Sequence, residues 1–165
     1  MNSKECGKLL PYRNRMERKK NFVLDKSILY KQRNTMKPIG LWYQIKDCGN
    51  IWGELDWGKH IYEVNVDTKC IYTIKNYKEL LDFNKKYSIK LKNLKLRIIR
   101  WELLSKDYCG FEIKNFKKIK SLIKEEPDEK KSIISFVWFF MFDFSSGCVW
   151  DLNALKNIKY FDIKK

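Results

Sequence analysis

With 165 residues the chain has the length of one domain and enough of it to bury a sizeable core. Hydrophobic residues at 44% and aromatics at 15% exclude the disordered compositional class. Thirty-five basic against 20 acidic residues leave a net charge of +15, which favours polyanionic partners: nucleic acid, anionic membrane or an acidic protein. The basic residues divide into 29 Lys and 6 Arg, beside 17 Ile, 12 Asn and the single Ala154. An AT-rich coding sequence produces the same excess of Lys, so coding bias and polyanion binding both account for it.

Residues 1–37 hold eleven basic and three acidic side chains, more than half of the net charge. Within them Arg13, Arg15, Arg18, Lys19 and Lys20 make a cluster suited to gripping phosphates or to serving as a nuclear address. Residues 1–26 are read as a basic, flexible arm and residues 27–165 as a single α+β domain. The first ten residues lack the apolar stretch of a signal peptide, and the most hydrophobic run, Ile133 to Phe144, is too short for a membrane span of about 20 residues. The expectation is an intracellular protein, cytoplasmic or nuclear, that is neither secreted nor membrane-bound. Its five cysteines (Cys6, Cys48, Cys70, Cys109, Cys148) are odd in number, widely spread and free of any Cys-x-x-Cys spacing. They read as buried thiols of a reducing compartment, and no metal site is expected.

In chain order, Ser27 to Tyr30 reads as a short strand and Met36 to Gly40 as a turn. Leu41-Trp42-Tyr43 enters the core, and Asp47 to Asn50 forms a polar loop. Trp52 and Trp57, beside Gly53 and Gly58, suggest a short helix or irregular turn. His60 to Val66 alternates as a strand, and Cys70 to Ile74 follows as a second, with Asp67-Thr68-Lys69 as the tight connection of an antiparallel hairpin. Asn76 caps a helix, with Glu79 completing the box, and Tyr77, Leu80, Leu81, Asn84 and Tyr87 share its stripe. The segment Ile89 to Ile99 mixes lysines with apolar residues and has no clear period.

Trp101 to Lys106 reads as a short helix, Phe111 to Ile113 as a brief strand. Phe116, Ile119, Leu122 and Ile123 form the apolar face of another helix whose other face carries Lys114, Lys117, Lys118, Lys120 and Lys124. Ile133 to Phe144 reads as the central buried strand, Ser145-Ser146-Gly147 as a turn, and Asn153 to Tyr160 as a final helix or strand. The fold class is α+β, with a mixed or largely antiparallel sheet, possibly split, and three or four helices.

Several mechanisms are struck out. His60 is the only histidine, so two-histidine acid–base catalysis is excluded. There is no Gly-rich phosphate loop of standard spacing and no Gly-x-Ser-x-Gly elbow. A Cys–His pair using His60 has no cysteine singled out for it, and a strand-start histidine is more often structural. Basic residues interleaved with aromatics offer another route, because a ring stacked on a base contributes about 1–3 kcal/mol. Tyr12, Tyr30, Tyr43 and the Lys90–Arg100 stretch are its candidates, against core packing as the default for any aromatic residue.

A resemblance adds a third route. Lys37-Pro38-Ile39-Gly40-Leu41-Trp42-Tyr43, followed by Trp52 and Trp57, Trp101-Glu102 through Tyr108-Cys109-Gly110, and Ser146-Gly147-Cys148-Val149-Trp150, resembles a Lys-Pro-x-Gly-Leu-Trp family of small proteins from phages, bacteria and large DNA viruses. That family is similar to the ADP-ribosyltransferase-like fold. The resemblance implies a split sheet with NAD in its cleft, acting on a nucleic-acid or host-protein target. It implies Arg33 as the nucleotide-orienting residue and Trp42 or Tyr43 as the stacking ring. Ser145 and Ser146 line the cofactor site where an acid is the rule, and Glu63 and Glu112 are the remaining strand carboxylates for catalysis. Gln44 replaces the expected small hydroxyl residue, and no Glu-x-Glu or Gln-x-Glu occurs. The alternative is a non-enzymatic binder of nucleic acid or an acidic protein, using Arg13, Arg15, Arg18, Lys19, Lys20, Lys117 and Lys118.

Overall fold

A computed structural model describes residues 14–17, 21–45, 60–92 and 96–161. Arg13, Arg18, Lys19, Lys20, Tyr12, Trp52, Trp57, Cys6 and Cys48 lie outside the described residues, as does the loop expected at 47–50.

The elements run β1 (Asn14–Glu17), β2 (Asn34–Thr35), β3 (Leu41–Ile45), β4 (Ile61–Val66), β5 (Ile71–Ile74), α1 (Tyr77–Tyr87), β6 (Ser88–Lys90), β7 (Arg97–Arg100), α2 (Trp101–Leu104), β8 (Gly110–Ile113), α3 (Phe116–Lys124), α4 (Glu129–Ser135), α5 (Val137–Phe140), β9 (Ser146–Val149), a 3-10 turn at Leu152–Ala154, and β10 (Leu155–Phe161). The fold is α+β with a mixed sheet, as the pattern of elements predicts, but the described residues form five helices in place of the three or four expected, because the run from Ile133 is helical. A seven-stranded mixed sheet has the order β10-β4-β1-β3-β9-β8-β5, and a separate three-stranded sheet has the order β2-β7-β6. Among the described residues only β5 and β8 pair in parallel.

The large sheet has to curl. Strand β4 is second from one edge and β5 is the opposite edge, five strand spacings or about 24 Å apart in a flat sheet. The connection from Val66 to Ile71 reaches at most about 18 Å. Asp67 closes the turn: its amide donates to the Ala154 carbonyl (2.7 Å), and its carbonyl accepts from the Cys70 amide (3.2 Å). The predicted hairpin is therefore corrected. Both strands exist, but β4 pairs with β1 and β10 and β5 with β8, so the tight turn joins distant edges instead of neighbours.

Alternation along each strand sends side chains to two cores. On one face Met16, Leu41, Tyr43, Ile45, Tyr62, Val64, Ile71 and Val149 meet Leu152, Ala154 and Leu155. On the other, Ile74, Phe111 and Ile113 meet the helices through Leu80, Phe83, Trp101, Phe116, Ile119, Trp138 and Phe139. Phe83 stands at the centre, its ring 5.0 Å from Phe111, 5.2 Å from Trp138 and 6.1 Å from Trp101. Trp101, Trp138 and Trp150 are at most 1% exposed, so these three are core residues rather than stacking platforms.

Other expectations change in the folded protein. Helix α1 follows its box: the Asn76 side chain accepts from the Glu79 amide (2.9 Å), while Glu79 accepts from the Lys75 amide (2.7 Å). Within its stripe, Leu81 is exposed and Phe83 takes the buried place. The run read as a central strand, Ile133 to Phe144, instead ends α4 and forms α5, because a continuous apolar run fits a buried helix as well as a buried strand. Ser146 and Gly147, read as turn residues, belong to β9 near the middle of the sheet. Ser27 to Tyr30 forms no strand; it is held by an isolated bridge from Leu29 to Asp151 and by the Tyr30 amide donating to the Trp150 carbonyl (2.8 Å). Residues 14–17, counted with the basic arm, form β1 between β3 and β4.

Candidate functional site

The register lines up Tyr43 of β3, Gly147 of β9, Glu112 of β8 and Thr73 of β5 as one row across four strands. Because residue 147 has no side chain, the Tyr43 ring lies flat over it: a Cβ built there would come 2.2 Å from Tyr43 Cζ. Tyr43 thereby reaches two strands across, and its hydroxyl donates to Glu112 Oε2 (2.9 Å). Thr73 Oγ1 donates to Glu112 Oε1 (2.9 Å), and Lys114 Nζ stands 3.0 Å from the same oxygen. Glu112 is 3% exposed, so this carboxylate is buried with both oxygens occupied. It is a built polar network in an apolar interior, where each missing partner is costly.

Burial, and then the neighbouring Glu112 charge, push the Tyr43 phenol well above its ordinary value. A phenol that resists ionisation in the fold but ionises freely once unfolded, near pH 10, contributes stability that is complete below about pH 10 and is lost above it. Tyr43→Phe should therefore lower stability at neutral pH by about 1.5–3 kcal/mol and flatten the fall above pH 10. Thermal melts from pH 8 to 11 read both effects; an unchanged alkaline slope would remove Tyr43 as its source.

The residues named by the NAD expectation do not converge. Tyr43 and Glu112 meet, but Trp42 points to the opposite face, its ring 5.4 Å from Phe142 with Lys37 Nζ 5.6 Å from its centroid. Arg33 is exposed beside β2 of the small sheet. Glu63 is half-buried on β4, in register with Arg15 of β1 and Lys159 of β10. The Ser145 hydroxyl accepts from the Phe116 amide (3.0 Å) at the start of α3, and the Ser146 hydroxyl donates to the Phe144 carbonyl (3.2 Å). His60 Nδ1 lies 3.2 Å from the Tyr160 hydroxyl. Clefts of about 710, 520 and 330 Å³ open elsewhere, the largest beside Phe22, Tyr62 and Tyr160, and none of the three is lined by these NAD-site residues. Among the described residues no group of three His, Cys, Asp or Glu could hold a metal ion, and no helix is long and apolar enough to cross a membrane.

The Lys37–Tyr43 motif has a packing role. Gln32, 3% exposed, donates to the Ile39 carbonyl (2.6 Å) and accepts from the Ile39 amide (3.0 Å), which clamps the segment. A Cβ on Gly40 would lie 2.3 Å from the Val149 carbonyl oxygen, so only glycine lets the chain approach β9 here.

Within the segment without a clear period, Ile89 to Ile99, residues 89–90 and 97–99 pair in the β6–β7 ribbon, with β2 on its other side. Residues 85–100 contain Lys85, Lys86, Lys90, Lys92, Lys95, Arg97 and Arg100 and no acidic residue. Lys90 sits directly opposite Arg97 in the ladder. Like charges so placed are destabilising. Arg97 Nε donates to Ser88 Oγ (2.7 Å) and Arg100 Nη2 to the Lys86 carbonyl (2.7 Å). Arg100 Nε is buried with no hydrogen-bond partner among the described residues. Lys85, Lys86, Lys90 and Lys92 are exposed, as are Lys31, Arg33 and Lys37 along the approach to β2 and β3. Helix α3 also exposes Lys117 and Lys118, but acidic Glu125, Glu126, Asp128 and Glu129 follow it and oppose its field.

Of the sequence-derived site residues, the structure joins one pair, Tyr43 with Glu112, and turns a stretch marked only as basic and aromatic into a cationic ribbon. Set against family models, curated proteins and solved structures, the chain matches none.

Proposed function

We propose that the protein is a non-enzymatic binder of nucleic acid that grips the phosphodiester backbone with the β6–β7 ribbon. The observation that carries this reading is the run of seven basic and no acidic residues over 85–100, folded so that Lys90 faces Arg97. An anion bound across the ribbon relieves the repulsion that the fold otherwise sustains. Tyr43 is buried and Tyr30 half-buried, so the contact is to phosphates and is insensitive to base sequence.

Fluorescence anisotropy with labelled single-stranded and duplex oligonucleotides tests it. Each phosphate neutralised steepens the fall of log K with log salt by about 0.7 for single strands and about 0.9 for duplexes. Four to six ribbon contacts predict a slope of about −3 to −5. A flat salt response would reject the reading, and tight binding to polyglutamate with none to oligonucleotides would redirect it to an acidic protein.

The ADP-ribosyltransferase-like reading keeps one point in its favour, the 2.9 Å pairing of Tyr43 with Glu112. A carboxylate 3% exposed and engaged on both oxygens is not placed to face a ribose, so no nicotinamide release from labelled NAD is expected.

A further inference from the structure

Three features stand outside the functional reading: the large cleft beside Tyr62 and Tyr160, the buried Glu112 network, and two cysteines on neighbouring strands. The cysteines carry the most.

Strands β5 and β8 run parallel in the register Ile71 to Gly110, so Cys70 and Cys109 occupy the adjoining rung. The Cys109 amide donates to the Cys70 carbonyl (2.7 Å), which fixes the two backbones at strand spacing. Neighbouring strands lie about 4.8 Å apart, inside the Cα separation of about 4.4–6.8 Å that a disulfide requires. Both thiols are half-buried, within reach of a small reagent, and the Cys70 thiol donates to the Asp67 carbonyl (3.5 Å). Cys148 differs: it is fully buried, its sulfur 4.0 Å from the Pro38 carbonyl. The rung sits where the Asp67–Cys70 turn closes the curled sheet. The Cys109 carbonyl also accepts from the Trp150 and Asp151 amides (3.0 and 3.1 Å), so the site is backed by fixed structure on the β9 side.

We propose that Cys70 and Cys109 form a reversible dithiol–disulfide pair, oxidised in the folded protein by a low-molecular-weight disulfide. Burial pushes the Cys109 thiol up to about 12, which disfavours it as the attacking thiolate, so the first attack is assigned to Cys70. The Cys70 sulfur displaces one thiol from the small disulfide and forms a mixed disulfide. Cys109 then gives up its proton, attacks the Cys70 sulfur and releases the second small thiol. Two protein S–H bonds become one S–S bond, and the reagent is reduced to two thiols that carry off both protons. The covalent loop from 70 to 109 contains α1, the basic ribbon and α2.

Oxidised glutathione on the native protein, followed by alkylation and non-reducing digestion with trypsin, reads the linkage directly. The expected product joins peptides 70–75 and 107–114, lighter by two hydrogens than the separate thiols, and is reversed by dithiothreitol. Oxidation should also raise the melting temperature by several degrees, since a loop of this length is constrained in the unfolded chain. Cys109→Ser should arrest the reaction at a glutathione adduct on Cys70. Separate glutathione adducts on both cysteines of the wild type, or links from Cys70 only to Cys6 or Cys48, would overturn the proposal.

Discussion

Gly147→Ala is expected to destabilise the protein by about 3–5 kcal/mol and to lower its melting temperature by about 10 °C. The added Cβ would sit 2.2 Å from Tyr43 Cζ and 2.3 Å from its hydroxyl, closer than any contact the ring can absorb in place. Tyr43 is 2% exposed, so it has no solvent to retreat into. Overpacking of this kind costs about 1–3 kcal/mol. Displacing the ring also breaks its hydrogen bond to the buried carboxylate, worth about 1.5–3 kcal/mol. Chemical denaturation of four proteins reads the coupling: wild type, Gly147→Ala, Tyr43→Ala and the double variant. With the ring already gone, the methyl group should be nearly neutral, which gives an interaction energy of more than about 2 kcal/mol. If the methyl costs as much in both backgrounds, the row from Tyr43 to Thr73 is not what requires glycine.

The second large effect is on binding. Reversing Lys85, Lys90 and Lys92 to Glu should weaken oligonucleotide affinity on the order of 100-fold at low salt and reduce the salt slope by about 2–3. All three side chains are exposed. Lys90→Glu also places a carboxylate opposite Arg97, replacing repulsion by attraction worth about 0.2–1 kcal/mol. The variant should therefore bind much more weakly while melting no lower than the wild type. The pair Lys117→Glu and Lys118→Glu on α3 serves as the comparison and should change affinity only a few-fold. An affinity within threefold of wild type for the ribbon variant would remove the ribbon as the contact.

What the sequence made legible was local. The Asn76–Glu79 box, the alternation through Ile61–Val66 and the apolar face at Phe116, Ile119 and Ile123 read correctly, because each is decided within one or two turns of chain, whereas Leu122, assigned to the same face, is exposed. The failures share one cause. The unbroken apolar run from Ile133 carries no period that separates a buried helix from a buried strand. Gly147 looks like a turn residue until its opposite neighbour across β9 is known to be Tyr43, 104 positions earlier. Asp67 to Lys69 has hairpin chemistry, yet it spans the open side of a curled sheet. Glu112 was singled out, but its partners Tyr43 and Thr73 lie 69 and 39 residues away, beyond the reach of any spacing rule. Cys70 and Cys109, likewise, are neighbours only because β5 and β8 pair in parallel.

The strand order carries a consequence for synthesis. Among the described residues strand β9 is the one link between β3 and β8, and it follows both along the chain. Until residue 149 is in place, the chain holds β1, β3 and β4 on one side and the β5–β8 pair on the other, tethered by the Asp67 turn but not joined in one sheet, with the Tyr43 ring lacking its floor and Glu112 lacking its Tyr43 donor. Assembly is therefore held back to a late, concerted step.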